Sequence, residues 1–328
     1  MVSKIASFVL IIAICSWVGA LSAAAQITMI RILGGRDEVP GVEFAAAVNF
    51  TKTNVKATST ILIPDRTQRV RAVVVLLERG LTAQARFRDS AWRKMSEQCE
   101  CGILYFRLDT IRPVDANAPV STDLLRNAAA GGADVLFSLL QRLAQESSHP
   151  ELKDTPMVFW GWSAAASFGT TFAELYPDRT IGFIRYHTHL RGLPVDMKVL
   201  TKIPALLIAG GKDETAGIED AETLWKMGRS VGAPWTFAIE PNASHFNEEV
   251  FVSTQELIFP WISAVVSQRV TSGSIPLRDV IDASGLLGNT HNGQITPYAT
   301  FQGVKTEASW LPNEEAARGW QSVLRIGK

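Results

Sequence analysis

Several things are scarce in this 328-residue chain, and each scarcity closes a class of explanation. Net charge is absent: 32 Lys and Arg balance 32 Asp and Glu. No overall field therefore draws the chain to nucleic acid or to an anionic membrane surface. Cysteine is scarce, with only Cys15, Cys99 and Cys101, and their spacing is not that of a zinc site. Cys99 and Cys101 form a Cys-Glu-Cys tripeptide whose ring is tight for relaxed disulfide geometry, so two thiols and a strained bridge both remain open. Internal repeats and low-complexity tracts are missing. After residue 25 no apolar run is long enough to span a bilayer.

What is present is an ordinary globular composition, 47% hydrophobic and 20% charged, which favours one large domain with a possible appendage. Lys4, the run IASFVLIIAICSWVGAL and Ala23-Ala24-Ala25 before Gln26 have the layout of a secretory signal peptide. Residues 1–25 are therefore expected to be removed, leaving a secreted or periplasmic chain with no membrane attachment; a retained membrane anchor is the alternative, since the run is near the lower length for a spanning helix. Residues 26–272 are expected to form the main domain. Residues 273–328 form a loop-rich extension ending in a short helix, and Trp310, Leu311 and Trp320 predict that it packs on the main domain.

Short Val/Ile/Leu-rich runs alternate with helical patterns along the main domain. ATSTILIPD, RAVVVLLERG, GILYFRL, PMVFWGW, TIGFIRYH, PALLIAGG and WTFAIEP are predicted strands. DSAWRKMSEQC, a long segment over 122–147 with a Gly-Gly irregularity, 163–176, IEDAETLWKMGRSVG and 255–269 are predicted helices. Strands apolar on both faces and separated by helices indicate an α/β fold with a mostly parallel sheet covered on both sides. An antiparallel start is expected near residues 27–63.

Candidate chemistry begins in VFWGWSAAASFG. A predicted strand turns sharply into a helix at Ser163, with Gly161 and Ala165 two positions to either side. Small flanks are what a serine at such a corner needs. Its hydroxyl is exposed at a helix N-terminus, where the Ala164 N–H and the helix dipole can stabilise a developing oxyanion. A serine needs a base, and the base needs an orienting carboxylate. Asp213 follows the strand PALLIAGG and His245 follows WTFAIEP, so the order is Ser, Asp, His, each beyond a strand end. Glu214, one residue on, and Asp220 are the alternative acids.

With these residues in this order, the chain resembles the α/β-hydrolase superfamily over about residues 55–268. No long insertion separates the strands at 180–187 and 204–210, in which it is similar to compact secreted serine esterases, loosely of the feruloyl-esterase and polyhydroxybutyrate-depolymerase type. The resemblance implies Ser163 as nucleophile, Asp213 as acid and His245 as general base. It also implies hydrolysis of small or polymeric carboxylic esters through an acyl-enzyme, with no metal or organic cofactor. The oxyanion donors would be Ala164 and Leu81, with Gly80 and Trp162 lining the substrate cleft. The stretch LLERGLT departs from the family's usual His-Gly at that loop, placing Glu78 and Arg79 there instead.

Other readings stay open at this point. The triad order also serves peptidases and amidases, and a non-catalytic binding protein can use the same scaffold. His187 and His189 alternate at a strand end and could bind a metal with a distant carboxylate. His149 and His291 read as loop residues. Trp160 and Phe168 read mainly as core, and Tyr186 and Trp235 as either core or cleft. Asn49-Phe-Thr and Asn242-Ala-Ser match the glycosylation acceptor pattern.

Overall fold

The strand AVVVLL, β4 (Ala72–Leu77), is buried at every position. Its alternate residues serve different cores: Val73, Val75 and Leu77 face one, while Ala72, Val74 and Leu76 face the other. That period of two is the signature of a strand with helices on both faces. A computed structural model describes residues 27–32, 39–50, 55–77, 82–110, 127–189, 196–246, 250–271 and 276–325.

Around β4 a nine-stranded sheet is built from β1 (Ile27–Ile32), β2 (Gly41–Phe50), β3 (Val55–Pro64), β5 (Cys101–Thr110), β6 (Met157–Trp162), β7 (Thr180–Tyr186), β8 (Ala205–Gly210) and β9 (Trp235–Glu240). Its order is β1-β2-β3-β5-β4-β6-β7-β8-β9. The pairs from β1 to β5 are antiparallel, and those from β5 through β4 to β9 are parallel. From β2 onward, this order and these directions are the α/β-hydrolase fold. The chain leaves β4 for β5 on one side and later returns to β6 on the other. The carboxyl ends of β4 and β6 thus flank a switch point, where such sheets open a crevice.

Helices α1 (Thr82–Arg88) and α2 (Ser90–Gln98) precede β5, and α3 (Gly132–Glu146) precedes β6. They are followed by α4 (Ala166–Leu175), α5 (Met197–Leu200), α6 (Glu219–Ser230) and α7 (Val250–Arg269). Side chains of α3, α4 and α6 fill the first core; those of α1, α2 and α7 fill the second. The helix expected over 122–147 is shorter. Residues 111–126 lie outside the described residues, a 3-10 turn covers Ala128–Ala130, and Gly131 at φ 108° interrupts the path before α3 starts. The Gly-Gly pair is the boundary because its first glycine takes a left-handed conformation that costs other residues more. Among the described residues, no helix is long and apolar enough to cross a membrane.

The C-terminal segment holds more regular structure than its loop-rich composition suggests. Strands β10 (Leu286–Asn289), β11 (Ile295–Pro297) and β12 (Ala308–Leu311) form a small antiparallel sheet, followed by α8 (Glu314–Arg325). Strands of three or four residues are too short for their periodicity to be read. Trp310, Leu311 and Trp320 are fully buried. Ser309 Oγ accepts from Phe237 N at 3.0 Å and donates to Phe237 O at 2.9 Å, and Trp320 Nε1 donates to the same carbonyl at 2.6 Å. The segment thus caps groups of the edge strand β9 that would otherwise invite pairing with another chain. Helix α8 lies so close to α7 that a Cβ on Gly319 would fall 2.0 Å from Glu256 O.

Candidate active site

Ser163 has φ +54°, a left-handed backbone rare for a residue with a side chain. Strand β6 ends at Trp162, and a 3-10 turn over Ser163–Ala165 leads directly into α4. The turn is so sharp that a Cβ on Gly161 would lie 2.4 Å from Ala166 Cα and 2.8 Å from Ala166 N. Glycine is therefore required by the close approach of the helix start. Ser163 and Ala164 are both half-buried at the rim of the sheet. First-turn amides, among them that of Ala164, have no acceptor within the helix and point toward where an anion would sit.

The loops after β8 and β9 bring the other two residues to this corner. The two strands are parallel neighbours, and their register continues past their ends: Gly211 N donates to Glu240 O at 2.7 Å and Lys212 N to Ala243 O at 2.9 Å. Asp213 and His245 are carried together by this stitching. His245 Nδ1 lies 2.8 Å from Asp213 Oδ2, and His245 Nε2 lies 3.0 Å from Ser163 Oγ. The other carboxylate oxygen, Asp213 Oδ1, accepts from Thr215 N at 2.9 Å and Ala216 N at 2.7 Å. Asp213 is buried and held by its own turn. Glu214 is exposed, and Asp220 lies 3.6 Å from His189 Nδ1, so of the three acidic candidates Asp213 is the one hydrogen-bonded to His245.

Aromatic rings line one side. Trp162 lies 5.3 Å from the His245 ring, and Phe246 meets Trp162 edge-on at 5.5 Å and His245 at 4.8 Å. Phe246 is 71% exposed, an unusual state for a large ring beside a buried histidine. Trp160, Phe168 and Trp235 are core. Gly80 and Leu81, with Glu78 and Arg79, lie outside the described residues.

The histidine pair expected as possible metal ligands is drawn to separate partners. His187 is buried, with Nε2 2.8 Å from Glu240 Oε2 and Nδ1 3.6 Å from Asp213 Oδ2. His189 is partly exposed and faces Asp220. Alternation places two side chains on one side only while the strand continues, and β7 ends at Tyr186; His187 already has φ +47°. Among the described residues, no group of three or more His, Cys, Asp or Glu side chains is arranged to hold a metal ion. His149 pairs with Glu151 at 3.0 Å, and His291 is exposed.

Two residues near the site escape a reading based on sequence. Glu240 closes β9 and is buried against Tyr186, whose hydroxyl donates to Glu240 Oε2 at 2.5 Å. Burial, followed by the Glu240 charge, pushes the Tyr186 hydroxyl well above its ordinary value. The available signal was a glutamate ending an apolar strand at the same sheet edge as Asp213 and His245. Arg185 is also buried, donating to Thr170 Oγ1 at 2.8 Å and His189 O at 2.9 Å, and burial lowers it to about 10. It fastens α4, which begins at the serine corner, to the end of β7.

Cys99 and Cys101 are free, buried thiols, so the unbridged alternative holds. Cys101 Sγ donates to Cys99 O at 3.3 Å. A hydrogen bond from the Cys101 thiol is the main influence lowering Cys99 to about 7.

No family model matches the chain, and no curated protein matches it. Solved structures do. Lipase A of Candida antarctica in its closed state is 11% identical, with a TM-score of 0.48, over 78% of this chain and 85% of the lipase. An alpha-beta serine hydrolase homologue from Coxiella burnetii is 15% identical, with a TM-score of 0.45, over 65% and 94%. A carboxylesterase of Bacillus cereus is 17% identical, with a TM-score of 0.43, over 63% and 93%.

Proposed function

We propose that the protein is a serine hydrolase that cleaves carboxylic esters through an acyl-enzyme. The observation that carries this reading is the continuous line from Ser163 Oγ to His245 Nε2 at 3.0 Å and from His245 Nδ1 to Asp213 Oδ2 at 2.8 Å. His245 takes the Ser163 proton as Oγ attacks the ester carbonyl, and Asp213 orients the ring and stabilises the imidazolium. The Ala164 N–H receives the negative charge that develops on the carbonyl oxygen, with Leu81 N–H as the second donor; one such donor is worth about 100- to 1000-fold in rate. His245 then gives its proton to the departing alcohol. Water, deprotonated by the same ring, attacks the acyl-serine and releases the acid.

Trp162 and Gly80 line the acyl side of the cleft in this reading. Export follows from the signal-like segment 1–25, and N-terminal sequencing of the chain recovered outside the cell tests it. The main test incubates residues 26–328 with a fluorophosphonate and maps the adduct by mass spectrometry. Labelling at Ser163 is expected, with none in Ser163→Ala or His245→Ala. A folded wild-type chain that stays unlabelled would overturn the reading and favour a binding protein on this scaffold.

A further inference from the structure

His187 has a carboxylate oxygen at each ring nitrogen: Glu240 Oε2 at 2.8 Å from Nε2 and Asp213 Oδ2 at 3.6 Å from Nδ1. A neutral imidazole has one N–H and one lone pair. With the proton on Nε2, the Nδ1 lone pair opposes Asp213; with it on Nδ1, the Nε2 lone pair opposes Glu240. The doubly protonated ring satisfies both sides. The side chains of Asp213, Glu240 and His187 are each no more than 2% exposed, so water does little to screen these charges.

The cluster is built to hold this ring still. Tyr186 and His187 stack at 4.2 Å with 8° between their planes, and Tyr186 donates to the same Glu240 oxygen that faces His187. Tyr186 also shares a hydrogen bond with Thr254 from α7 and feels the charge of Arg86 on α1. His245 lies 6.5 Å from the His187 ring. Among the described residues, Glu240 Oε1 has no hydrogen-bond partner, and neither does His187 Nδ1, whose contact to Asp213 is too long for a hydrogen bond. A Cβ on Gly210 would fall 2.9 Å from His187 Cε1, so the glycine leaves room for the ring.

We propose that His187 is a positioning residue for Asp213: an imidazolium anchored by Glu240 and Tyr186 that faces the same carboxylate oxygen of the triad that His245 meets. The charge arithmetic gives it a purpose. Among the groups in direct contact here, apart from the Arg86 charge that acts on Tyr186, two carboxylates and one imidazolium leave a single negative charge facing His245, and that charge is neutralised when His245 takes the serine proton. Without the His187 cation, two like charges would face each other across a buried pocket. This inference rests on the serine-hydrolase reading for its effect on rate, though not for the protonation of His187.

The first test is nitrogen-15 NMR of histidine-labelled wild-type protein at neutral pH. Two protonated ring nitrogens on His187 are expected, and one would overturn the proposal whether or not Ser163 reacts. In the second test, His187→Asn is expected to slow fluorophosphonate labelling and ester turnover by about 10- to 100-fold, the usual range for partners that orient active-site groups. KM should stay unchanged and the acidic limb of the pH profile should move to higher pH. His187→Asn combined with Glu240→Gln removes the second charge as well and should regain part of the lost rate. A folded single variant with wild-type rate and pH profile, or a double variant with no regain, would overturn the proposal. If the single variant does not fold, the NMR result on wild type decides. Absence of Ser163 labelling in wild type would instead sink the hydrolase reading alone.

Discussion

Asp213 presents Oδ2 to His245 Nδ1 at 2.8 Å while Oδ1 is occupied by two amides of its own turn, those of Thr215 and Ala216. The carboxylate is oriented before any substrate arrives. Asp213→Asn keeps the shape and most of the turn but offers the ring an amide, so His245 adopts the wrong tautomer. A fall in kcat on the order of 10⁴-fold is expected for ester hydrolysis. Glu214→Gln, at an exposed neighbour, should leave kcat within about twofold of wild type, since surface changes of this kind stay within about 0.5 kcal/mol. Turnover of a simple aryl ester measures both.

Phe246 is a ring held over His245 and Trp162 and left 71% exposed. Phe246→Ala removes little buried area, so stability should stay within about 0.5 kcal/mol in urea denaturation. An ester whose acyl or alcohol group covers that ring loses about 1 kcal/mol of contact, a KM about fivefold higher. An acetyl ester of a small alcohol should be unaffected. Equal effects on both esters would remove Phe246 from the binding surface.

Arg229 is fully buried and fastens the C-terminal segment to α6. It donates to Ala308 O at 2.8 Å, Ala233 O at 2.6 Å, Lys305 O at 2.8 Å and Asp282 Oδ1 at 2.6 Å. Arg229→Met leaves Asp282 and three carbonyls without that donor. The expected cost is about 3–5 kcal/mol, which lowers the melting temperature by roughly 10 °C. Calorimetry reads it directly, and a change below about 1 kcal/mol would show that the segment is held without a material contribution from Arg229.

Tyr186 provides a pH signature. Burial and Glu240 raise its hydroxyl in the folded state, so the folded chain keeps a proton that the unfolded chain releases near pH ~10. The stabilising contribution is complete below that pH and is lost as pH rises toward the folded value. Wild-type stability should therefore fall above pH ~10 more steeply than that of Tyr186→Phe. At neutral pH the variant should be about 1–3 kcal/mol less stable, because Glu240 loses a donor. Urea denaturation at several pH values separates the two effects.

Much of this molecule was written in local pattern. Apolar runs such as AVVVLL and MVFWGW carry strand identity and double-sided burial without any knowledge of their neighbours. The corner at Gly161, Ser163 and Ala165 is legible because steric demand acts over two or three residues. The order of Ser163, Asp213 and His245 is a matter of strand ends, which local periodicity also marks. What stayed hidden depends on which strands are adjacent. That Asp213, and not Glu214, meets His245 depends on a turn whose amides take Oδ1. That His187 lies between Glu240 and Asp213 depends on β7, β8 and β9 standing side by side in register, a relation between residues 26 to 53 positions apart. Sequence alone determined which groups stand at strand ends; only the sheet, by packing those ends together and shutting out water, decided which charges meet.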